Sequence, residues 1–124
     1  PKLADLGAVF LTDYPASLAS LARLNPHDPS TSARFEAYVD GIELANGFGE
    51  LTDPIEQRKR FEDDLQRRQT MGLPVFPIDE AFLDALAAGL PPCAGIALGV
   101  DRLLMLATDV EKISDAVSFP PDLA

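Results

Sequence analysis

One cysteine and one histidine in 124 residues exclude more chemistry than any other feature of this chain. Cys93 has no partner for an intrachain disulfide, and with His27 alone beside it no Cys/His zinc spacing can be built. Basic residues are also scarce. Ten Lys and Arg stand against twenty Asp and Glu, a formal net charge of −10, which argues against non-specific binding to nucleic acid through a basic patch. No apolar run approaches the roughly 20 residues that span a bilayer, and no charged-then-apolar leader opens the chain. The expectation is a cytoplasmic chain with no membrane contact. It begins Pro-Lys-Leu rather than with Met, which reads as a piece of a longer parent.

What is present is enough for one modest core. At 47% hydrophobic, residues 1–124 are expected to form a single domain, with little left over for a second. After a loose lead over residues 1–7, Ala8-Val-Phe-Leu-Thr12 reads as a short strand broken by Asp13-Tyr-Pro15. Leu18, Leu21 and Leu24 precede a loop, Asn25-Pro-His-Asp-Pro29, where His27 has no nucleophile to serve. Asp53-Pro-Ile-Glu56 is a helix start with proline in the first turn, and that helix should run to Met71 and stop at Gly72. Phe61 and Leu65 give it a sparse apolar stripe. Its basic residues, Arg58, Lys59, Arg60, Arg67 and Arg68, alternate with Glu62, Asp63 and Asp64 at helical spacing, a solvated and self-paired face. A second helix is expected from Asp79 to Ala88, with Phe82, Leu83 and Leu86 inward and Gly89 closing it.

Asp40-Gly41 lies between two alternating runs and predicts a tight hairpin. If Val39 opposes Ile42, Tyr38 opposes Glu43 and Glu36 opposes Ala45. One face then carries Phe35, Ala37, Val39, Ile42 and Leu44 toward the core, and the other Arg34, Glu36, Tyr38 and Glu43. Glu36 and Glu43 become diagonal neighbours about 7–8 Å apart. Two carboxylates that close repel, so one takes a proton, a hard cation such as magnesium sits between them, or Arg34 salts a solvated face. The same alternation puts Asn46 and Phe48 on the apolar face, and a bulge at Gly47 or Gly49 would be needed to turn Asn46 and Glu50 the other way.

Ala94-Gly-Ile-Ala-Leu-Gly-Val-Asp-Arg102 reads as a buried, glycine-punctuated strand feeding a helix whose Leu103, Leu104, Met105 and Leu106 face the core. Arg102 falls in the helix's first turn, where the macrodipole disfavours a cation unless an anion joins it. A phosphate fits, and a guanidinium suits a polyphosphate better than an ammonium does.

This element is similar to the third signature motif of class II aminoacyl-tRNA synthetases, in which the arginine lies along ATP. The lysyl branch matches best. Arg34-Phe-Glu-Ala-Tyr-Val-Asp-Gly-Ile-Glu-Leu-Ala-Asn-Gly-Phe-Gly-Glu-Leu51 resembles its lysine-binding hairpin, and Asp53-Pro-Ile-Glu-Gln-Arg58 the helix that follows. The resemblance implies an α+β fold, a mostly antiparallel sheet flanked by helices, forming the C-terminal part of a class II catalytic domain. It implies an enzyme that uses ATP and Mg2+, with Arg102 as catalytic residue, Glu36, Glu43 and Arg102 on ATP, and Glu36 and Glu43 holding magnesium. Asn46, Phe48, Glu50, Ala97 and Gly99 would line the amino-acid pocket, with Glu50 reading the side-chain ammonium of lysine. The parent would be a homodimer, and the tail Phe119–Ala124 would lie near its C-terminus.

Within this family Ala97 separates two branches. Lysyl-tRNA synthetases usually carry glycine there, whereas the paralogous ligases that attach (R)-β-lysine to a lysine of elongation factor P carry alanine in a run very like Cys93-Ala-Gly-Ile-Ala-Leu-Gly99. Tyr14-Pro-Ala-Ser-Leu-Ala-Ser-Leu-Ala22 and Gly72-Leu-Pro74 also resemble the paralogue, although it usually has serine at the position of Ala94. The Ala97 methyl either packs or fills the space an α-amino group would take. The expectation is a ligase acting on elongation factor P. The alternatives are a true lysyl-tRNA synthetase acting on tRNA-Lys and a catalytically silent paralogue that binds.

Overall fold

In a computed structural model, described over residues 2–120, the chain is an antiparallel sheet with three α-helices, the α+β class expected from the sequence. The strands are β1 (Ala8–Pro15), β2 (Leu24–Asn25), β3 (Asp28–Val39), β4 (Ile42–Gly49) and β5 (Ala94–Leu98). Their order is β1-β3-β4-β5, with β2 taking the edge of β3 that β4 leaves. The helices are α1 (Pro54–Thr70), α2 (Glu80–Ala87) and α3 (Val100–Thr108). None is long and apolar enough to cross a membrane.

Local signals set most element ends. Asp40 and Gly41 both take positive φ, 50° and 83°, the pairing a two-residue turn with right-handed strand twist demands. The Asp53 carboxylate accepts from the Ile55 and Glu56 amides and caps α1, while Gly72 and Gly89 end α1 and α2 at φ 69° and 108°. Asp79 caps α2 by accepting from Phe82 N–H. His27 lies in the β2–β3 turn, its amide donating to Asn25 Oδ1. The basic face of α1 is paired only in part from within. Arg60 meets Glu56 and Arg67 meets Asp64, but Arg58 reaches across to Glu80 of α2.

Four expectations are corrected. Asp13 does not end β1: it takes φ 56° as a bulge between Thr12 and Tyr14, and the strand continues to Pro15. β5 is exposed along its whole length, with Ile96 62% and Leu98 48% accessible, because it is an edge strand that nothing among the described residues covers. Of the α3 apolar residues only Met105 is buried, while Leu103 and Leu104 are each 43% accessible for the same reason. Phe82 is 38% accessible, tilted against Phe61 with ring centroids 6.1 Å apart, rather than sunk beside Leu83 and Leu86. The tail residues 121–124 lie outside the described range.

The hairpin register is the correction that matters for function. Val39 pairs with Ile42 and Tyr38 with Glu43 as expected, but Ala37 then pairs with Ala45, Glu36 with Asn46 and Arg34 with Phe48. Leu44 is therefore an extra residue in β4. The bulge comes at Leu44, not at Gly47 or Gly49, and its carbonyl accepts the Gly99 N–H at 2.9 Å. One slipped residue moves every later side chain of β4 to the opposite face.

Candidate active site

Because of the bulge, Asn46 and Phe48 join Arg34, Glu36, Tyr38 and Glu43 on one face of the sheet. β5 extends that face, since Asn46 pairs with Ala97 and Phe48 with Gly95. Six residues that sequence reasoning scattered over two faces thus share one. Phe35, Ala37 and Val39 take the other, as expected, but are only half-buried.

Glu36 is the centre of this face and is buried. Its Oε2 accepts from the hydroxyls of Tyr14 and Tyr38, each at 2.5 Å. Its Oε1 accepts from Arg34 at 2.5 Å and from the Asn46 amide at 3.4 Å. Arg34 lies over the Tyr14 ring at 4.5 Å and the Phe48 ring at 5.8 Å. Burial alone would raise the Glu36 pKa, but the tyrosine and arginine hydrogen bonds and the Arg34 charge outweigh it, and the net shift is downward. Burial first, then the bond to Glu36 and its charge, push the Tyr14 hydroxyl well above the ordinary phenol value. The bond to Glu36, followed by burial, raises Tyr38 as well. Tyr14 was not legible as a site residue: it sits beyond a bulge in a strand the sequence ends two residues earlier.

Asn46 is left half-used. Its Nδ2 goes to Glu36, and its Oδ1 is buried without a partner. A buried acceptor in that state costs free energy unless a ligand donor meets it.

Glu50 follows β4 and is fixed from both sides. Its amide donates to the Cys93 carbonyl at 3.0 Å, it bridges to Ala22, and the Leu51 amide donates to Leu21 at 2.9 Å. Its carboxylate reaches Gly95: Oε1 lies 2.6 Å from the point a Cβ on Gly95 would occupy.

Arg102 stands in the first turn of α3, as expected, with its Nη1 donating to the Glu43 carbonyl at 2.7 Å and lying 4.0 Å from the Glu43 carboxylate. Gly99 precedes the helix beneath it, since a Cβ there would come within 3.2 Å of Arg102 Cδ. Arg102 thus bridges β4 and α3 and is itself half-exposed.

The donor set can be tested against magnesium. Glu43 keeps an accessible carboxylate whose nearest cation is Arg102 at 4.0 Å, which suits a hard ion completed by phosphate and water oxygens. Glu36 is different, because all four of its acceptor positions are filled. It can take a metal only by exchanging a hydrogen bond. Among the described residues no group of three His, Cys, Asp or Glu is placed to hold a metal without further ligands.

A strand-to-helix arginine beside a carboxylate-lined antiparallel sheet is the layout of a class II synthetase, and residues 2–123 match the family "tRNA synthetases class II (D, K and N)". The chain belongs to that family. Among its relatives, a Proteus mirabilis protein named elongation factor P–(R)-β-lysine ligase is 60% identical over 111 residues, covering 90% of this chain and 34% of that protein. Proteins of the same name from Salmonella paratyphi B and Salmonella heidelberg are each 52% identical over all of this chain and 38% of their own length. The chain thus spans little more than a third of the relatives it matches.

Proposed function

We propose that this chain is part of the catalytic core of a ligase that activates a lysine-like amino acid, (R)-β-lysine, with ATP and passes it to a lysine of elongation factor P. The observation that carries the reading is the pairing of Ala97 with Asn46, whose Oδ1 is buried and unpartnered. An ammonium donor near Asn46 meets that acceptor, and the Ala97 methyl occupies space directly across the strand pair. The relatives' name, which describes a β-lysine ligase, agrees with this.

In the first half-reaction the amino-acid carboxylate attacks the α-phosphorus of ATP and pyrophosphate leaves, giving an aminoacyl adenylate. In the second, the acceptor lysine's neutral amine attacks the acyl carbonyl, an amide forms, AMP leaves and a proton is released. Glu50 anchors the side-chain ammonium of the amino acid, for which a fixed anion is required once water is excluded. Arg102 lies along the triphosphate and balances its charge. Glu43 would hold magnesium, joined by Glu36 when a tyrosine hydroxyl gives way, and the ion would neutralise phosphate charge. Phe48 and Arg34 wall the pocket. Such catalysis rests on positioning and electrostatics, so no nucleophilic side chain is needed.

The test uses the full-length parent: ATP–pyrophosphate exchange with (R)-β-lysine against α-lysine, then transfer to elongation factor P against tRNA-Lys. Preference for (R)-β-lysine and for the protein acceptor is expected. Preference for α-lysine with charging of tRNA would make the parent a lysyl-tRNA synthetase.

A further inference from the structure

We infer that Gly95 is a specificity-determining position: by having no side chain it sets where the Glu50 carboxylate stands, and so where the pocket reads its substrate's ammonium. This rests on the proposed role of Glu50 and adds to it a residue on another strand.

Glycine at 95 needs a reason, and the backbone does not supply it. Gly95 is not among the glycines with positive φ, so an L side chain could adopt its conformation. Nor does packing against the fold explain it. Among the described residues, and its chain neighbours apart, the only heavy atoms within 4 Å of a Cβ placed there belong to Glu50, Oε1 at 2.6 Å and Cδ at 3.7 Å. Gly47, one register position away and facing the other side of the sheet, offers the contrast: a Cβ there would overlap the Phe35 ring and meet the Gly95 carbonyl at 3.1 Å, which are a side chain and a backbone atom of the sheet itself. Gly47 is a packing glycine, and Gly95 is kept open for one carboxylate.

The Glu50 backbone cannot retreat to relieve such a contact, because it is tied to Cys93 on one side and to the Ala22 segment on the other. The side chain must turn instead. A methyl at 95 therefore leaves the sheet intact and moves the anion. β5 in this way places two small residues on the site face, Gly95 making room for Glu50 and Ala97 standing across from Asn46.

The experiment is a double-mutant cycle in the full-length parent, with Gly95→Ala, Glu50→Asp and both together, alongside Glu50→Gln, read by KM and kcat for (R)-β-lysine in pyrophosphate exchange and by thermal unfolding. Gly95→Ala should raise KM by about 10- to 200-fold, the scale of a methylene-sized change in a pocket, while kcat and the melting temperature move little. In the Glu50→Asp background, whose shorter arm clears the methyl, the same substitution should cost several-fold less, since residues in contact do not act additively. Equal penalties in both backgrounds overturn the inference even if Gly95→Ala also destabilises the parent. So does an unchanged KM for Gly95→Ala when Glu50→Gln raises KM strongly, which leaves the role of Glu50 standing. A silent Glu50→Gln removes that role and the inference together.

Discussion

Tyr14 donates its hydroxyl to the Glu36 carboxylate at 2.5 Å across 22 residues of sequence, joining β1 to the centre of the site face. The bond is possible only because Asp13 bulges β1 and brings Tyr14 opposite Ser32, two positions along β3 from Arg34. Removing one donor from a charged acceptor costs more than an ordinary hydrogen bond. Tyr14→Phe should destabilise the parent by about 1.5–3 kcal/mol, measured by denaturant unfolding at neutral pH.

The pH dependence of that loss has a definite sign. Glu36 is depressed in the folded state, so its contribution is present above the unfolded value of 4.5 and is lost as pH falls through the folded one. Tyr14 is raised, so its contribution is present below 10.0 and is lost only as pH rises through a still higher folded value. Between those limits the Tyr14→Phe penalty should be flat, and it should shrink on the acid side below pH 4.5. Unfolding midpoints of wild type and variant that stay equally separated down to pH 3 would contradict this.

Glu36 and Glu43, which the sequence presents as an equivalent pair, should respond differently to the same change. Glu36→Gln puts a donor where four donors already converge, so it should cost roughly 2–4 kcal/mol of stability. Glu43→Gln sits on an accessible carboxylate and should alter stability by less than about 0.5 kcal/mol, while raising the magnesium concentration needed for half-maximal pyrophosphate exchange. A Glu43→Gln variant with unchanged magnesium dependence would return that residue to a solvated strand edge.

Those differences mark the limit of what the sequence displays. Asp40-Gly41, Asp53-Pro54, Gly72 and Gly89 were legible because each acts within four residues and has one steric or hydrogen-bonding solution. The α+β architecture, the arginine-bearing helix start and the polar face of β3 followed from them and from the family resemblance. The bulge at Leu44 was not legible, since leucine carries no conformational mark and the shift is set by pairing to β3 and by the Gly99 amide. The exposure of β5, Leu103 and Leu104 was missed because apolar sequence reports a surface that wants covering, whether or not the cover belongs to the same chain.

Gly47 offers a check on the register independent of any activity. A methyl there would overlap the Phe35 ring and crowd the Gly95 carbonyl, and Phe35 is held between Gly47 and Phe10, 6.1 Å away. Gly47→Ala should cost about 1–3 kcal/mol, the usual penalty of overpacking, and it should do so without a change in magnesium dependence. A neutral Gly47→Ala in thermal unfolding would mean that β3 and β4 pair in the unbulged register.

Ala97 carries the prediction about substrate choice. It pairs with Asn46, whose free Oδ1 is the acceptor an amino group would seek. With alanine at 97, the space across from Asn46 holds a methyl, and an amino group in the β position would avoid it where one in the α position would not. Ala97→Gly in the full-length parent should therefore raise kcat/KM for α-lysine relative to (R)-β-lysine by up to about 10- to 200-fold. Stability should fall by only about 1 kcal/mol, the cost of glycine in a strand. The measurement is the ratio of the two specificity constants in pyrophosphate exchange, variant against wild type. If the ratio stays flat while the wild type already prefers α-lysine and charges tRNA, the methyl merely packs, and the parent acts on tRNA rather than on elongation factor P.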